Sequence, residues 1–537
     1  MALRCVNCFL GNIGMERPTG VQISRFLKAQ GVQYVFGIPG VHNQELYRGI
    51  EEAGLIHILA RHEQGAGFMA DGYARASGKP GIVYVITGPG ICNVLTALGQ
   101  SYSDSIPILA ISSCLDETAY RRGQLHQMLD QERAAGSVCE WSETAQNYKA
   151  AYGLLDRAFT EFSDKRCRPK HIQVPIKVLE QNAPDFKISA KPSASFLYNE
   201  NEIIKISQLI KNSKKPIFIV GGGAKDADVF KLIEKTGAAC FTSFTGRGLI
   251  PSNYPLFMGS SLARPDTVGV LSKSDLLVVL GSELAEVDIW RYNLGHKCPL
   301  VRVDTDPEVL SDHHKADLKV NMKVADFVEA SLKYFNEEDS KPTWDAKFIS
   351  QKRNEWISQA KREFPGVANV IKAVEEIVPQ ETVIYSDMTQ FAYLAKEIWD
   401  MEKPNHWHHP YGFGTLGYAL PAAIGGCIAR PNMPTLAIAG DYGFQYTIQE
   451  LGTAVELQLN LPILIWDNHK LKAIEDSMIA AQISPNSVQA LNPDFCKLAE
   501  SYGARSTKPS NLKELQNDIT EAFCAKTPTI IHISDMV

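Results

Sequence analysis

Two polar residues near the end of the chain stand where a metal and a phosphate could bind. One apolar run leads into Gly440 and Asp441, and a second leads into Asn468. Parallel strands end at the same edge of a sheet, so we expect Asp441 and Asn468 to lie close together. Their oxygens suit Mg²⁺, and helix N-termini nearby suit a diphosphate. The Gly-Asp pair at 440–441 or the Asp-Asn pair at 467–468, taken alone, could simply end a strand in a turn. Their separation by one strand–helix–strand crossover favours a metal–diphosphate site.

A second candidate is Glu63, at a predicted strand-to-helix junction within the sequence RHEQGA at 61–66. A carboxyl group in a water-poor pocket has a raised pKa and can share a proton with a ligand nitrogen. The alternative is a helix-terminal glutamate that the helix dipole stabilises. An isolated glutamate would favour that alternative, so the interpretation depends on the surrounding motif.

Short apolar runs alternating with helical stretches must position these residues. The pattern predicts an α/β fold with three consecutive doubly wound parallel-sheet domains, because runs of this kind form sheets covered on both faces. Polar linkers separate the predicted domains at 15–180, 196–335 and 355–537. Predicted strands lie at 34–38, 56–60, 82–87, 108–112, 216–220, 239–242, 275–281, 300–303, 383–385, 435–439, 462–466 and 529–533.

Composition limits the partners. The 537 residues carry a net charge of −6 without a basic run, which predicts no nucleic-acid or membrane-surface partner. The longest apolar stretch falls short of the roughly 20 residues that span a bilayer. Eleven scattered cysteines, an odd number, indicate a reducing compartment, and we predict a cytoplasmic protein.

The stretch from GDYGF at 440–444 to WDN at 466–468 resembles the signature of thiamine-diphosphate enzymes, and RHEQGA resembles their activating-glutamate segment. The resemblance runs from about Pro18 to Ile533 and is to the acetolactate synthase and 2-oxo acid decarboxylase branch. It implies aminopyrimidine-binding, central and diphosphate-binding domains, with thiamine diphosphate and Mg²⁺ as cofactors. Tyr442, Asp467 and Lys470 depart from the family's usual glycine, asparagine and glycine.

The resemblance also implies roles for individual residues. Asp441 and Asn468 would ligate Mg²⁺ by side chain and Lys470 by its carbonyl, while Glu63 would be catalytic by activating the aminopyrimidine. Gly414 would accept the cofactor's amino group and Leu416 would bend the cofactor. The full implied cofactor-binding set is Pro39, Gly40, Glu63, Gly88, Asn93, Gly414, Leu416, Gly440, Asp441, Tyr442, Gly443 and Asn468.

Weaker resemblances concern the substrate. Segments 39–49, 123–131 and 281–288 resemble decarboxylases acting on 5-guanidino-2-oxopentanoate, and segment 281–288 lacks the arginines of flavin-binding relatives, which argues against bound FAD. A guanidinium substrate would favour a carboxylate partner. The substrate candidates are His42, His126, Gln127, His409 and Glu475. The alternatives are hydrogen-bonded loop histidines and, for Glu475, a solvated helix start.

The resemblance predicts non-oxidative decarboxylation of a 2-oxo acid to an aldehyde and CO2. It implies a homodimer or homotetramer in which two subunits share an active site. One alternative is an acetolactate synthase-like carboligase that condenses two 2-oxo acids. Another is a catalytically inactive cofactor-binding homologue, because a fold does not guarantee an activity.

Overall fold

The computed structural model describes residues 16–116, 122–188, 199–336, 343–489 and 491–534. These residues belong to two compact units. The first comprises residues up to 193 together with 424–430 and 447–457, and the second comprises the remainder.

The N-terminal third forms a six-stranded parallel sheet. Its elements are β1 Arg17–Pro18, α1 Thr19–Ala29, β2 Tyr34–Gly37, α2 Gln44–Ala53, β3 Ile56–Leu59, α3 Glu63–Ser77, β4 Gly81–Val85, α4 Pro89–Ser103, β5 Ile108–Cys114, α5 Gln131–Gly136, β6 Trp141–Thr144, α6 Tyr148–Asp164, β7 Lys170–Pro175, α7 Ile176–Glu180 and β8 Asn182–Ala183. The sheet order is β3-β2-β4-β5-β7-β6, and β1 pairs separately with β8. Interior strands are buried on both faces and therefore read as continuous apolar runs.

The central third forms a five-stranded parallel sheet in the order β10-β9-β11-β12-β13. Its elements are α8 Glu200–Asn212, β9 Pro216–Val220, α9 Val229–Thr236, β10 Ala239–Thr242, α10 Thr267–Leu271, β11 Leu276–Leu280, α11 Glu286–Ile289, β12 Leu300–Asp304, β13 Leu318–Asn321, α12 Val324–Leu332 and α13 Ala346–Glu363. Residue 355, the predicted start of the third domain, falls inside α13. Ile349 and Trp356 of α13 share a core with Phe241 of the central sheet. The domain bounds themselves stay a prediction.

The C-terminal third forms another six-stranded parallel sheet. Its elements are α14 Val367–Glu375, β14 Val383–Ser386, α15 Gln390–Ile398, β15 Trp407–His408, α16 Ala419–Ala429, β16 Thr435–Gly440, α17 Asp441–Tyr446, α18 Glu450–Glu456, β17 Pro462–Trp466, α19 Lys472–Ala480, α20 Phe495–Tyr502, β18 Arg505–Thr507, α21 Leu512–Ala522 and β19 Thr529–Ile533. The order is β15-β14-β16-β17-β19-β18. Strands β16 and β17 are neighbours, with Gly440 opposite Trp466.

The three parallel sheets confirm the predicted α/β fold. The sequence pattern did not predict the short helix that begins at Asp441, directly after β16. An aspartate in the first turn of a helix is favoured by the helix dipole, so Asp441 is a suitable residue to begin α17. Within the described ranges, no helix is long and apolar enough to cross a membrane.

Candidate active site

Glu63 is the first residue of α3, and a short turn separates it from the end of β3 at Leu59. His62 is the N-cap, and its Nδ1 accepts a hydrogen bond from the Gln64 N–H at 3.1 Å. The Glu63 side chain is 8% exposed, and its Oε2 accepts from the Asn93 amide at 2.9 Å. Two of the predicted cofactor-binding residues, from α3 and α4, are therefore in contact.

The turn before α4 is held by a glutamine that the sequence analysis did not single out. Gly88 has φ of +73° and donates its N–H to the Gln131 side-chain oxygen at 2.9 Å. The Gln131 amide in turn donates to the Ser113 carbonyl and the Gln173 side chain. A Cβ at Gly88 would lie 2.6 Å from the His126 carbonyl oxygen, so only glycine permits this approach.

Two predicted substrate residues, far apart in sequence, meet at this turn. The Nδ1 atoms of His42 and His126 are 3.3 Å apart. One ring must therefore donate and the other accept, which requires one of the two Nδ1 atoms to be unprotonated. Burial, together with the neighbouring His126, lowers the pKa of His42. Gln127 lies beside the pair and accepts from the Gln124 N–H at 3.3 Å.

The segment that carries His42 begins with the predicted residues Pro39 and Gly40. Pro39 is exposed, whereas Gly40 is half-buried and donates its N–H to the Asn43 side chain at 2.8 Å. A Cβ at Gly40 would overlap the Ile86 side chain. This tight turn leads from β2 into α2.

The second group of predicted residues lies at the carboxyl edge of β16 and β17. Asp441 is buried, and its Oδ2 accepts from the Asn492 amide at 2.7 Å. The same amide donates to Asp467 at 2.8 Å. Burial, reinforced by Asp467, raises the pKa of Asp441 to about 6. The pKa of Asp467 falls to about 2 despite burial, chiefly because His532 donates to it.

Asn468 and Lys470 follow at the same edge. The Asn468 amide donates to the Gln390 side chain at 2.8 Å, and its oxygen accepts from the Lys470 N–H at 3.2 Å. The Lys470 ammonium pairs with Glu475 at 3.0 Å. Glu475, the carboxylate predicted to bind the substrate, thus already has a cationic partner in this chain.

The part of the chain that the structure describes holds no cluster of three or more His, Cys, Asp or Glu arranged to bind a metal. The predicted magnesium ligands are of another kind, since they combine one carboxylate, one side-chain amide and one backbone carbonyl. Such oxygen sets are usual for Mg²⁺, which keeps several waters or substrate phosphates as its other ligands.

Comparison with known proteins shows which family the chain belongs to. Family models match at 18–134 (thiamine pyrophosphate enzyme, N-terminal TPP binding domain), 203–331 (central domain) and 387–533 (C-terminal TPP binding domain). The chain is 38% identical to the probable 2-ketoarginine decarboxylase AruI of Pseudomonas aeruginosa, with 96% of this chain and 93% of that protein covered. This chain belongs to the thiamine pyrophosphate enzyme family. It is also 30% identical to the acetolactate synthase large subunit of Haemophilus influenzae, with 96% and 94% covered.

Tyr442 stands where the Gly-Asp-Gly signature of the family has its second glycine, and the backbone conformation there accepts a side chain. Tyr442 lies within α17 and is not among the residues with positive φ. The position that excludes a side chain is Gly443, where a Cβ would lie 2.5 Å from an Asp387 carboxylate oxygen. The close approach that makes glycine necessary is therefore one residue further along.

Asp387 is another site residue that sequence reasoning missed. Its buried carboxylate accepts from the Gly417 N–H at 2.9 Å, and burial raises its pKa to about 6. It thereby links α17 to the predicted turn at Gly414, where φ is +65°, and Leu416, which is half-buried. His409 lies near the same strand end and hydrogen-bonds Ser386 at 2.9 Å.

We expect Gly443→Ala to destabilise the C-terminal domain by about 1–3 kcal/mol, because the new methyl group overlaps the buried Asp387 carboxylate. Chemical denaturation followed by tryptophan fluorescence would measure the loss. Gly269→Ala is a suitable control, since nothing lies within 4 Å of a Cβ there. Equal stability of the two variants would contradict the steric argument.

Proposed function

We propose that this enzyme uses thiamine diphosphate and Mg²⁺ to convert a 2-oxo acid and one proton into an aldehyde and CO2. When bound, the cofactor's thiazolium accepts the electron pair of the broken carbon–carbon bond. The observation that carries the proposal is the buried Glu63 carboxylate held by the Asn93 amide, in the same domain as the His42–His126 pair. The 38% identity to a probable decarboxylase over nearly the whole chain supports the reaction type.

Glu63 would hold the proton that the aminopyrimidine ring needs for activation. The Asn93 amide bonds one carboxylate oxygen and so orients the other. A buried carboxyl group fixed in this way is a suitable general acid–base partner for a ring nitrogen.

The edge formed by Asp441 and Asn468 fits the cation that the family implies. Asp441 and Asp467 both accept from the single Asn492 amide, which concentrates negative charge that a divalent cation would neutralise. Asp441, Asn468 and the Lys470 carbonyl would hold Mg²⁺, and the start of α17 would face the diphosphate.

The proposed substrate class is a 2-oxo acid with a cationic tail, such as 5-guanidino-2-oxopentanoate, which is 2-ketoarginine. The His42–His126 pair, with Gln127 and His409, would lie toward the 2-oxo acid. Glu475 could accept the guanidinium by exchanging it for the ammonium groups of Lys470 and Lys472.

We further propose a cytoplasmic homodimer or homotetramer in which Glu63 of one subunit serves the cofactor held by Asp441 of another. Subunit complementation tests this arrangement. Mixing inactive Glu63→Gln chains with inactive Asp441→Asn chains in equal amounts should restore up to about a quarter of the activity, by random assortment of shared sites. Absence of recovery after verified subunit exchange would contradict shared sites.

The test of the reaction is CO2 release across a panel of 2-oxo acids, with 2-ketoarginine and pyruvate among them. We expect fastest turnover with 2-ketoarginine and equimolar aldehyde and CO2. Binding of thiamine diphosphate without CO2 release from any 2-oxo acid would instead support the inactive-homologue alternative.

The carboligase alternative is favoured by the 30% identity to an acetolactate synthase large subunit. Incubation with pyruvate alone separates the two reactions. A carboligase yields acetolactate with one CO2 for every two pyruvates, whereas a decarboxylase yields one CO2 for each substrate consumed.

A further inference from the structure

Helix α18 contacts the backbone that leads into Glu63. Glu450 Oε1 accepts hydrogen bonds from the N–H groups of Arg61 and His62 at 3.1 and 2.9 Å, and Oε2 lies 3.1 Å from the Arg61 nitrogen. Thr453, one turn later, lies within hydrogen-bond distance of both Glu450 and the Leu59 carbonyl. A carboxylate on one helix therefore fixes the last residues before the catalytic glutamate.

The contact is buried and sterically specific. Glu450 is fully buried, and a Cβ on Gly65 would lie 2.2 Å from its Oε1. The first turn of α3 is thus packed directly against the carboxylate. A displacement of Glu450 would shift the backbone on which Glu63 stands.

We propose that Glu450 is a positioning residue that aims Glu63 through the amides of Arg61 and His62. The inference rests on the catalytic role of Glu63 proposed above. An ionised carboxylate can accept all of these hydrogen bonds, because each oxygen presents lone pairs. A protonated carboxyl group replaces one acceptor by a donor that faces an N–H group. Protonation therefore weakens the hydrogen bonds from Arg61 and His62 to Glu450.

Several charged groups surround this contact. The Arg61 guanidinium pairs with Glu456, on the same helix as Glu450. Glu63 is engaged by Asn93, and the His62 ring accepts from the Gln64 N–H.

Burial raises the pKa of Glu450 to about 7, although the amides of Arg61 and His62 and the hydroxyl of Thr453 oppose the rise. Activity should therefore fall as pH decreases through about 7, because the carboxylate becomes protonated.

The experiment compares full-length wild type with Glu450→Gln and Glu450→Ala. It measures the pH profile of kcat and the hydrogen exchange of amides in segment 59–66, corrected for the intrinsic effect of pH. In the alanine variant we expect amide exchange to rise at least about 10-fold at all pH values. We expect kcat to fall about 10- to 100-fold, because Glu63 is misplaced. KM for the 2-oxo acid should change little.

The glutamine variant retains a neutral oxygen acceptor, so it should fold and lose the acid limb near pH 7. Glu456→Gln is the matched control, because the carboxylate it removes pairs with the guanidinium of Arg61 and not with its backbone amide. It should keep the wild-type profile. A wild-type acid limb in Glu450→Gln, or unchanged amide exchange in Glu450→Ala, would overturn the inference. If Glu63→Gln itself leaves CO2 release unchanged, the proposed catalytic role fails, while amide exchange still reports whether Glu450 holds the segment.

Discussion

Glu63→Gln should lower kcat for CO2 release by about 10²- to 10⁴-fold, the range expected for loss of a positioned acid–base group. Glutamine has nearly the same shape and can still accept the hydrogen bond from Asn93, so the fold should persist. It cannot supply a carboxyl proton to the aminopyrimidine. Steady-state kinetics with saturating cofactor and a 2-oxo acid would measure the effect.

The matched control is Glu45→Gln on helix α2. Glu45 forms an i,i+3 ion pair with the exposed Arg48, and pairs with a solvent-exposed partner contribute little. This variant should keep wild-type kinetics and cofactor affinity. Should Glu63→Gln turn over as fast as the control, Glu63 could not be the activating acid.

Asp441→Asn should weaken binding of Mg²⁺ and thiamine diphosphate together, by more than about 100-fold. Mutation of a residue that only hydrogen-bonds a metal ligand lowers metal affinity by up to about 100-fold. Loss of a direct ligand should lower the affinity further. The change removes the negative charge that balances the cation at the edge of β16 and β17. Titration calorimetry of the metal-free protein with the two cofactors would quantify the loss.

Asp494→Asn is the control for this charge removal. Asp494 is the N-cap of α20 and accepts from the Lys497 N–H, and asparagine caps helices about as well as aspartate. Its cofactor affinity should match wild type. Retention of tight Mg²⁺-dependent cofactor binding by Asp441→Asn would refute the assigned metal site.

The local pattern of apolar residues was sufficient to predict where most of the strands lie. Strands β9, β10, β17 and β19 begin and end where the apolar runs predicted, and α3 begins at Glu63. Buried parallel strands are continuous apolar runs, so their signal lies within a few consecutive residues. By contrast β6, an edge strand with polar residues at three of four positions, has no such run and was not predicted.

The candidate site was only partly accessible from the sequence. Motif resemblance predicted Glu63, Asn93 and Asp441 as site residues, and their roles stay predictions. It could not select Asn492, which bonds Asp441 across 51 positions of the chain. An asparagine in a polar loop carries no local signal for that contact.

What the sequence by itself determined was the order of apolar runs, the α/β class and the identity of the residues that could carry the chemistry. Only the tertiary structure decided that His42 meets His126, that Glu450 supports the start of α3, and that within the 440–444 signature Gly443, not Tyr442, is where a side chain cannot fit. The physical reason is the separation of the interacting residues along the chain. Strands and helix starts depend on neighbouring residues, whereas these contacts depend on which distant segments the fold brings within a few ångströms.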